Sequence, residues 1–168
     1  MTPVVIEVGP ATVRGPGHVA CERVSAALGS VDDPLTLVDD RPVEVGRLWG
    51  EVLAAAAGGR TGTLVLVVPT WWPAGHVRVV SEAARNTAPE VVVVARSSVL
   101  ADTTDAVVVE LSADYAVVAA PGAVYSVVSR DEALAAHLQT AASVLIDVPA
   151  GVAPLSPAAA AALRRLGA

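Results

Sequence analysis

The chain has 168 residues and a formal net charge of −6. This length is typical of one domain, and a domain of this size can bury a core without disulfides or metals. The negative charge argues against nucleic-acid binding, for which a basic face is expected. All eleven basic residues are arginine, and the absence of lysine excludes a Walker A loop, which ends in Gly-Lys-Ser/Thr.

Short valine-rich runs predict the strands. In chain order they are Val4–Val8, Leu35–Val38, Thr63–Val68, Val91–Val94, Ala106–Leu111, Tyr115–Ala119, Ala123–Val128 and Val144–Asp147. The runs Thr63–Val68 and Val91–Val94 are apolar on both faces, which favours positions in the middle of a covered sheet. Only Ser112-Ala113-Asp114 and Pro121-Gly122 separate the runs between Ala106 and Val128, so that stretch is expected to be an antiparallel meander.

Helices are predicted between these strands. Apolar residues recur at helical spacing from Val45 to Ala56, which places Trp49 in the core. Pro73 is suited to begin a helix that runs through Asn86. Three further helices are predicted over His18–Leu28, from the capping box Ser129-Arg130-Asp131-Glu132 to Ala142, and from Ser156-Pro157 onward. The alternation of strands and helices indicates an α/β fold in one compact domain, residues 1–168, with lobe-like halves of about 1–104 and 105–168.

The segment Gly15-Pro16-Gly17-His18-Val19-Ala20 fits the loose dinucleotide-binding pattern G-x-G-x-x-A. A true fingerprint requires a strand leading directly into the first glycine and a helix opening at the last one. Here the predicted strand ends at Val8 and a proline lies inside the loop, so a plain turn is favoured. A Rossmann-type domain remains an alternative, which a helix starting at Gly17 would favour and a hairpin from Val4 through Arg14 would exclude.

Other patterns of catalytic or metal-binding residues are incomplete. The acidic pairs Asp32-Asp33 and Asp39-Asp40 lack the spacing of a calcium loop and are expected in solvated turns and as a helix cap. The three histidines are far apart and Cys21 is the single cysteine, so no zinc site is expected. No G-x-S-x-G motif is present, and no catalytic residues are assigned.

The pair Trp71-Trp72 directly follows the strand Thr63–Val68. Adjacent side chains diverge, so one ring is expected to pack inward. The other either caps the next helix or is exposed as an anchor for a protein partner. Trp71 and Trp72 are therefore the candidate docking residues.

The order of elements resembles the actin and heat-shock-chaperone ATPase superfamily. The resemblance depends on three elements in sequence. They are the stretch Thr63–Arg78, whose strand ends in Val-Pro, the helix that follows it, and the strand Val91–Val94. Val4–Arg14 resembles the first phosphate hairpin, Ala106–Val128 the second, and Val144–Leu166 the strand and helix on the adenosine side. The resemblance implies an actin-like, ribonuclease H-like fold with mixed sheets and flanking helices in a reduced two-lobed form.

The departures from the superfamily pattern bear on activity. The first hairpin has Glu7 in place of aspartate and keeps Gly9, whereas the second has no glycine in Glu110-Leu-Ser-Ala-Asp-Tyr115. Arg96-Ser97 stands where the family has Glu-Pro, and Asp147-Val148 stands where it has Gly-Gly. Side chains in these turns keep phosphate away from backbone N–H groups. The expectation is a non-catalytic domain without a cofactor.

The alternative within the superfamily is a divergent ATP-binding protein or nucleotide sensor. It would bind ATP with Mg²⁺ through Glu7, Gly9, Thr12 and Glu110, which are the candidate cofactor-binding residues.

The alanine- and valine-rich composition, the run Val38–Val45 and the Val-Pro-Thr-Trp-Trp segment also resemble the N-terminal part of the actinobacterial type VII secretion-associated protein family. This resemblance implies a binding or scaffold role with a secretion-system protein as partner. A further C-terminal domain would then follow this chain. The lone cysteine and the absence of a signal-peptide pattern at the N-terminus predict a cytoplasmic location, and no segment is long and apolar enough for membrane insertion.

Overall fold

The computed structural model describes residues 2–60, 62–120, 125–130 and 132–165. In these residues the protein is a mixed α/β structure with three sheets and six helices. The chain divides into two compact units, Met1–Val94 and Ala95–Ala168.

The first unit contains nine elements. They are β1 (Val4–Val8), β2 (Val13–Arg14), α1 (Cys21–Gly29), β3 (Leu35–Val38), β4 (Arg41–Glu44), α2 (Val45–Ala57), β5 (Thr63–Val68), α3 (Ala74–Arg85) and β6 (Glu90–Ala95). The main sheet has the order β2-β1-β5-β6, and β3 and β4 form a separate two-stranded sheet. Strand β1 is antiparallel to β2 and parallel to β5.

The core of the first unit lies on one face of the main sheet. Alternate residues of β1 and β5 are buried, and their register places Ile6 beside Leu66. This alternation follows from the two-residue period of a strand. Helix α2 buries the stripe predicted from its spacing, with Trp49 and Leu53 fully inaccessible, and it ends at Gly58, whose φ of 64° is the left-handed C-cap conformation.

Strands β3 and β4 form a hairpin whose two-residue turn is Asp39-Asp40. Both aspartates have positive φ, 52° and 60°, as a type I′ turn requires. Their prediction as turn residues is confirmed. Strand β4 was not predicted, because Pro42 removes a backbone donor and is depleted in strands; it is tolerated here in a ribbon of only two strands.

Replacing the turn by its preferred residues, Asp39→Asn/Asp40→Gly, is expected to raise the free energy of unfolding by about 1 kcal/mol. Glycine adopts positive φ without the clash that a Cβ causes, and asparagine tolerates it well. Urea unfolding followed by circular dichroism measures the change. The matched variant Asp39→Asn/Asp40→Asn removes the same charge without glycine and should gain less. Equal stability of the glycine variant and the parent would show that the turn is unstrained.

The second unit contains the remaining seven elements. They are α4 (Arg96–Thr103), β7 (Val107–Leu111), β8 (Tyr115–Ala119), β9 (Ser126–Ser129), α5 (Glu132–His137), β10 (Val144–Asp147) and α6 (Pro157–Arg164). The sheet order is β10-β7-β8-β9. Strands β7, β8 and β9 form the predicted antiparallel meander, and β10 is parallel to β7. The predicted turn Pro121-Gly122 lies outside the described residues.

Both faces of this second sheet are covered. On one face Val109 and Leu111 pack with Leu134 of α5, and on the other Val108 packs with Ala101 of α4. Helix α6 begins as predicted, with the Ser156 hydroxyl accepting a hydrogen bond from the amide of Ala159 at 3.1 Å.

Two predictions about the elements are wrong. Val91–Val94 does not lie inside a sheet, since β6 is an edge strand of the described sheet and Val92 is 41% exposed. The helix predicted to end at Ala142 ends at His137, and Ser129 belongs to β9. Beyond His137 the chain tightens into turns, with the amide of Leu138 bonded to the carbonyl of Ala135.

Candidate functional site

Three of the predicted nucleotide-binding residues lie on one hairpin of the first unit. Glu7 is on β1 opposite Arg14, while Gly9 and Thr12 form the turn to β2. The Gly9 amide donates to the carbonyl of Thr12 at 2.7 Å, so the turn uses this N–H itself. A Cβ on Gly9 would lie 3.3 Å from the Thr12 hydroxyl oxygen, a close contact that a small shift of the Thr12 side chain would have to relieve.

The fourth, Glu110, lies on β7 of the second unit, just before the turn to β8. The side chain of Ser112 closes this turn: its hydroxyl donates to the carbonyl of Tyr115 at 2.8 Å and accepts from the Tyr115 amide at 3.1 Å. The Ser112 amide also donates to the Tyr115 carbonyl. The N–H groups of Ser112 and Tyr115 are therefore engaged within the turn.

Arg130 forms hydrogen bonds to the backbone of the same turn. Its guanidinium donates to the carbonyls of Ser112 and Ala113, and also to those of Ala153 and Pro154. One cation thus binds four carbonyl oxygens and ties the β7–β8 turn to the segment before α6. The planar guanidinium suits this role, because its five donors point in fixed directions.

An ion pair joins the start of α4 to the end of β10. Arg96 Nε donates to Asp147 Oδ2 at 2.5 Å, and Nη2 donates to Oδ1 at 3.0 Å. The two side chains are only 18% and 12% exposed. This bidentate geometry is the strongest form of an arginine–carboxylate contact.

Glu110 lies on the strand next to Asp147. It is fully buried, and it is the Cα partner of Asp147 in the parallel pairing of β7 with β10. Side chains of paired residues stand on the same face of a sheet, so the carboxyl group of Glu110 lies on the face that also carries Asp147, the partner of Arg96. The sequence comparison singled out Arg96 and Asp147 as separate departures, and the structure brings them together.

The tryptophans form an aromatic cluster in the first unit. Trp71 and Trp72 are both half-buried, and Trp72 packs edge-to-face against the fully buried Trp49, with ring centroids 6.5 Å apart. His76 lies edge-on to Trp72 at 5.6 Å and is hydrogen-bonded through Nε2 to Asp32 Oδ1 at 2.8 Å. Trp72 therefore takes the inward position predicted for one of the pair.

The Gly15–Ala20 segment does not have the geometry of a dinucleotide fingerprint. A hairpin occupies Val4 through Arg14, and the next helix begins at Cys21. A Cβ on Gly17 would lie 2.0 Å from the carbonyl oxygen of Ala55, and the Gly17 amide donates to the Ala56 carbonyl. These glycines allow the backbone to pass close to the end of α2, and the Rossmann-type alternative loses its support.

One polar pair was not found by sequence reasoning. Ser126 Oγ and His137 Nε2 are 2.9 Å apart beside a cleft of about 240 Å³. The two residues are eleven positions apart in the chain and come together because α5 folds back on β9. Within the described residues no three histidine, cysteine, aspartate or glutamate side chains are arranged to hold a metal ion.

None of the helices in the described part of the chain combines the length and apolar character needed to cross a bilayer. In comparisons with known proteins, no protein-family model and no curated protein matches this chain.

Proposed function

We propose that this chain is a non-catalytic protein-binding or scaffold domain with a reduced, two-lobed actin-like architecture. Its partner would be a component of a type VII secretion system in the cytoplasm, as the sequence resemblance implies. The binding surfaces, and not a nucleotide site, would carry the function.

The repeated topology supports the actin-like part of the proposal. In each unit the first strand pairs with an antiparallel neighbour on one side and, after helical connections, with a parallel strand on the other. The strand sets β2-β1-β5 and β8-β7-β10 therefore share one pattern, while the fourth strand is β6, beside β5, in one sheet and β9, beside β8, in the other. Two lobes of this ribonuclease H-like kind are what the superfamily resemblance implies.

The observation that carries the non-catalytic part is the ion pair of Arg96 with Asp147. By the resemblance, Arg96 stands where the superfamily has an acidic residue and Asp147 where glycines approach the adenosine. Here the two side chains bind each other and are mostly buried. A position filled by a satisfied ion pair has no free group to offer a nucleotide.

The turns support the same conclusion. In a phosphate hairpin the backbone N–H groups must be free to bind oxygen. The amides of Gly9, Ser112 and Tyr115 are each bonded within their own turns. Losing one contact to a transition state typically costs about 10²–10³ in rate, so several such losses would remove most of a roughly 10⁶-fold acceleration.

Calorimetric titration with ATP·Mg²⁺ tests the proposal, and no saturable heat is expected. Thermal denaturation with ATP·Mg²⁺ is a second readout, since a ligand at about 100 times its Kd would stabilise the fold by about 2.7 kcal/mol. The expected shift in Tm is zero. Saturable micromolar binding that is lost in Thr12→Ala or Glu110→Gln would contradict the proposal and establish the nucleotide-sensor alternative.

A further inference from the structure

The outer face of the β3–β4 hairpin is apolar and open to solvent. Leu35 and Leu37 point outward from β3 and are 54% and 66% exposed. Pro42, the cross-strand partner of Leu37, is exposed beside them. We call these three residues the hairpin face.

The opposite side of the hairpin faces the protein. Val43 is buried, and its partner Thr36 is half-buried and hydrogen-bonded to Ser30 at 2.8 Å. The hairpin therefore has one face anchored on the first unit and one face that no described residue covers. Neighbouring leucines that each expose more than half of their surface are unusual on a strand, where outward positions are normally polar.

Acidic residues surround the hairpin face. The stretch from Asp32 to Glu44 holds five carboxylates and one guanidinium, a net charge of −4 out of the −6 of the whole chain. All six side chains belong to exposed residues: Asp32, Asp33, Asp39, Asp40, Arg41 and Glu44. The segment that carries the exposed apolar residues thus also carries most of the protein's excess negative charge.

The charge decides which occupant fits. A second copy of this chain would bring another −4 against the same surface, and like charges placed together across an interface disfavour association. Nucleic acid and anionic lipid headgroups are repelled in the same way. A polypeptide segment with apolar side chains flanked by arginine or lysine satisfies both the leucines and the carboxylates.

We propose that the hairpin face docks a cationic, apolar segment of a partner protein. The leucines supply the buried contact, and the surrounding carboxylates orient the segment and speed its encounter. The inference rests on the proposed role as a binding domain and names the chemistry of its partner.

A short synthetic peptide of alternating leucine and arginine serves as the probe, with fluorescence anisotropy as the measurement. The double variant Leu35→Ser/Leu37→Ser should weaken binding by about tenfold or more, because it removes the apolar contact. Val127→Ser is the matched control, since Val127 is 66% exposed on β9 of the other unit. It should leave the affinity unchanged, and circular dichroism should show all variants folded.

The charge is tested by Asp39→Asn/Asp40→Asn, in which asparagine still accepts the positive φ of the turn. Its affinity for the probe should fall about threefold at low salt, and its salt dependence should be weaker than that of the parent. A peptide of alternating leucine and glutamate should not bind.

Three outcomes would overturn the inference. The first is equal probe binding by the parent and the Leu35→Ser/Leu37→Ser variant, and the second is equal binding of the glutamate peptide. The third is a dimer of the parent chain, seen by sedimentation, that this variant abolishes. If one of these results is found and ATP does not bind, the docking inference fails and the proposed non-catalytic function stands. If ATP binds, the proposed function fails, whatever the result with the peptide probe.

Discussion

Arg96→Met is expected to lower the free energy of unfolding of the second unit by about 3–5 kcal/mol, the usual cost of removing one partner of a buried ion pair. The methionine keeps most of the aliphatic packing but leaves the mostly buried Asp147 without its cation. A carboxylate that is mostly withdrawn from water is costly to keep without a counter-ion.

The two units offer separate spectroscopic probes for this experiment. All three tryptophans lie in the first unit, and both tyrosines, Tyr115 and Tyr125, lie in the second. Urea unfolding followed by the tyrosine ring signals in NMR should show the loss. Arg78→Met, followed by the tryptophan signals of the first unit, is the control, because Arg78 and Glu82 form an exposed pair at 3.6 Å whose removal should change stability by less than about 0.5 kcal/mol. Equal losses of unfolding free energy in the two variants would show that the Arg96–Asp147 ion pair does not stabilise the second unit.

Trp49→Ala is expected to cost about 3–5 kcal/mol, the usual range for removing a fully buried tryptophan. Trp49 is inaccessible to solvent, lies in the stripe that α2 buries and supports the edge of the Trp72 ring. Trp72→Ala should cost less, about 1–3 kcal/mol, because Trp72 is only half-buried. Urea unfolding followed by far-ultraviolet circular dichroism measures both losses.

Trp49→Phe is the matched control for the loss of ring volume. It keeps an aromatic ring in place and removes an indole N–H that has no hydrogen-bond partner among the described residues. Trp49→Phe should lower the free energy of unfolding by much less than Trp49→Ala does. If Trp71→Ala or Trp72→Ala leaves stability unchanged but abolishes partner binding, that tryptophan is a docking anchor, and its packing contacts are secondary.

Much of the fold could be predicted because its signals are local. The bounds of β1, β5, β8 and β10 match their valine-rich runs, and the helix from Val45 follows from the spacing of its apolar residues. Ser156 caps α6 as its position before a proline indicates. These features depend on residues within one or two turns of each other, which sequence patterns capture well.

The site could be predicted only in part, because its contacts join distant positions. Arg96 and Asp147 are 51 positions apart, and Arg130 reaches carbonyls 18 and 23 positions away. Sequence comparison could mark Arg96 and Asp147 as unusual, but it gave no sign that they pair. A bidentate contact requires both the strand register of β7 with β10 and the placement of α4, which are tertiary features.

NMR of the parent chain with millimolar ATP·Mg²⁺ is the most direct test of the proposal that this domain binds no nucleotide. The amide resonances of Gly9, Ser112 and Tyr115 report on the β1–β2 turn and the β7–β8 turn, which the nucleotide-sensor alternative requires to bind phosphate. The account predicts that these signals stay in place while Arg96 remains bound to Asp147. Saturable shifts of these three amides would contradict it, since phosphate would then be displacing the hydrogen bonds within the turns.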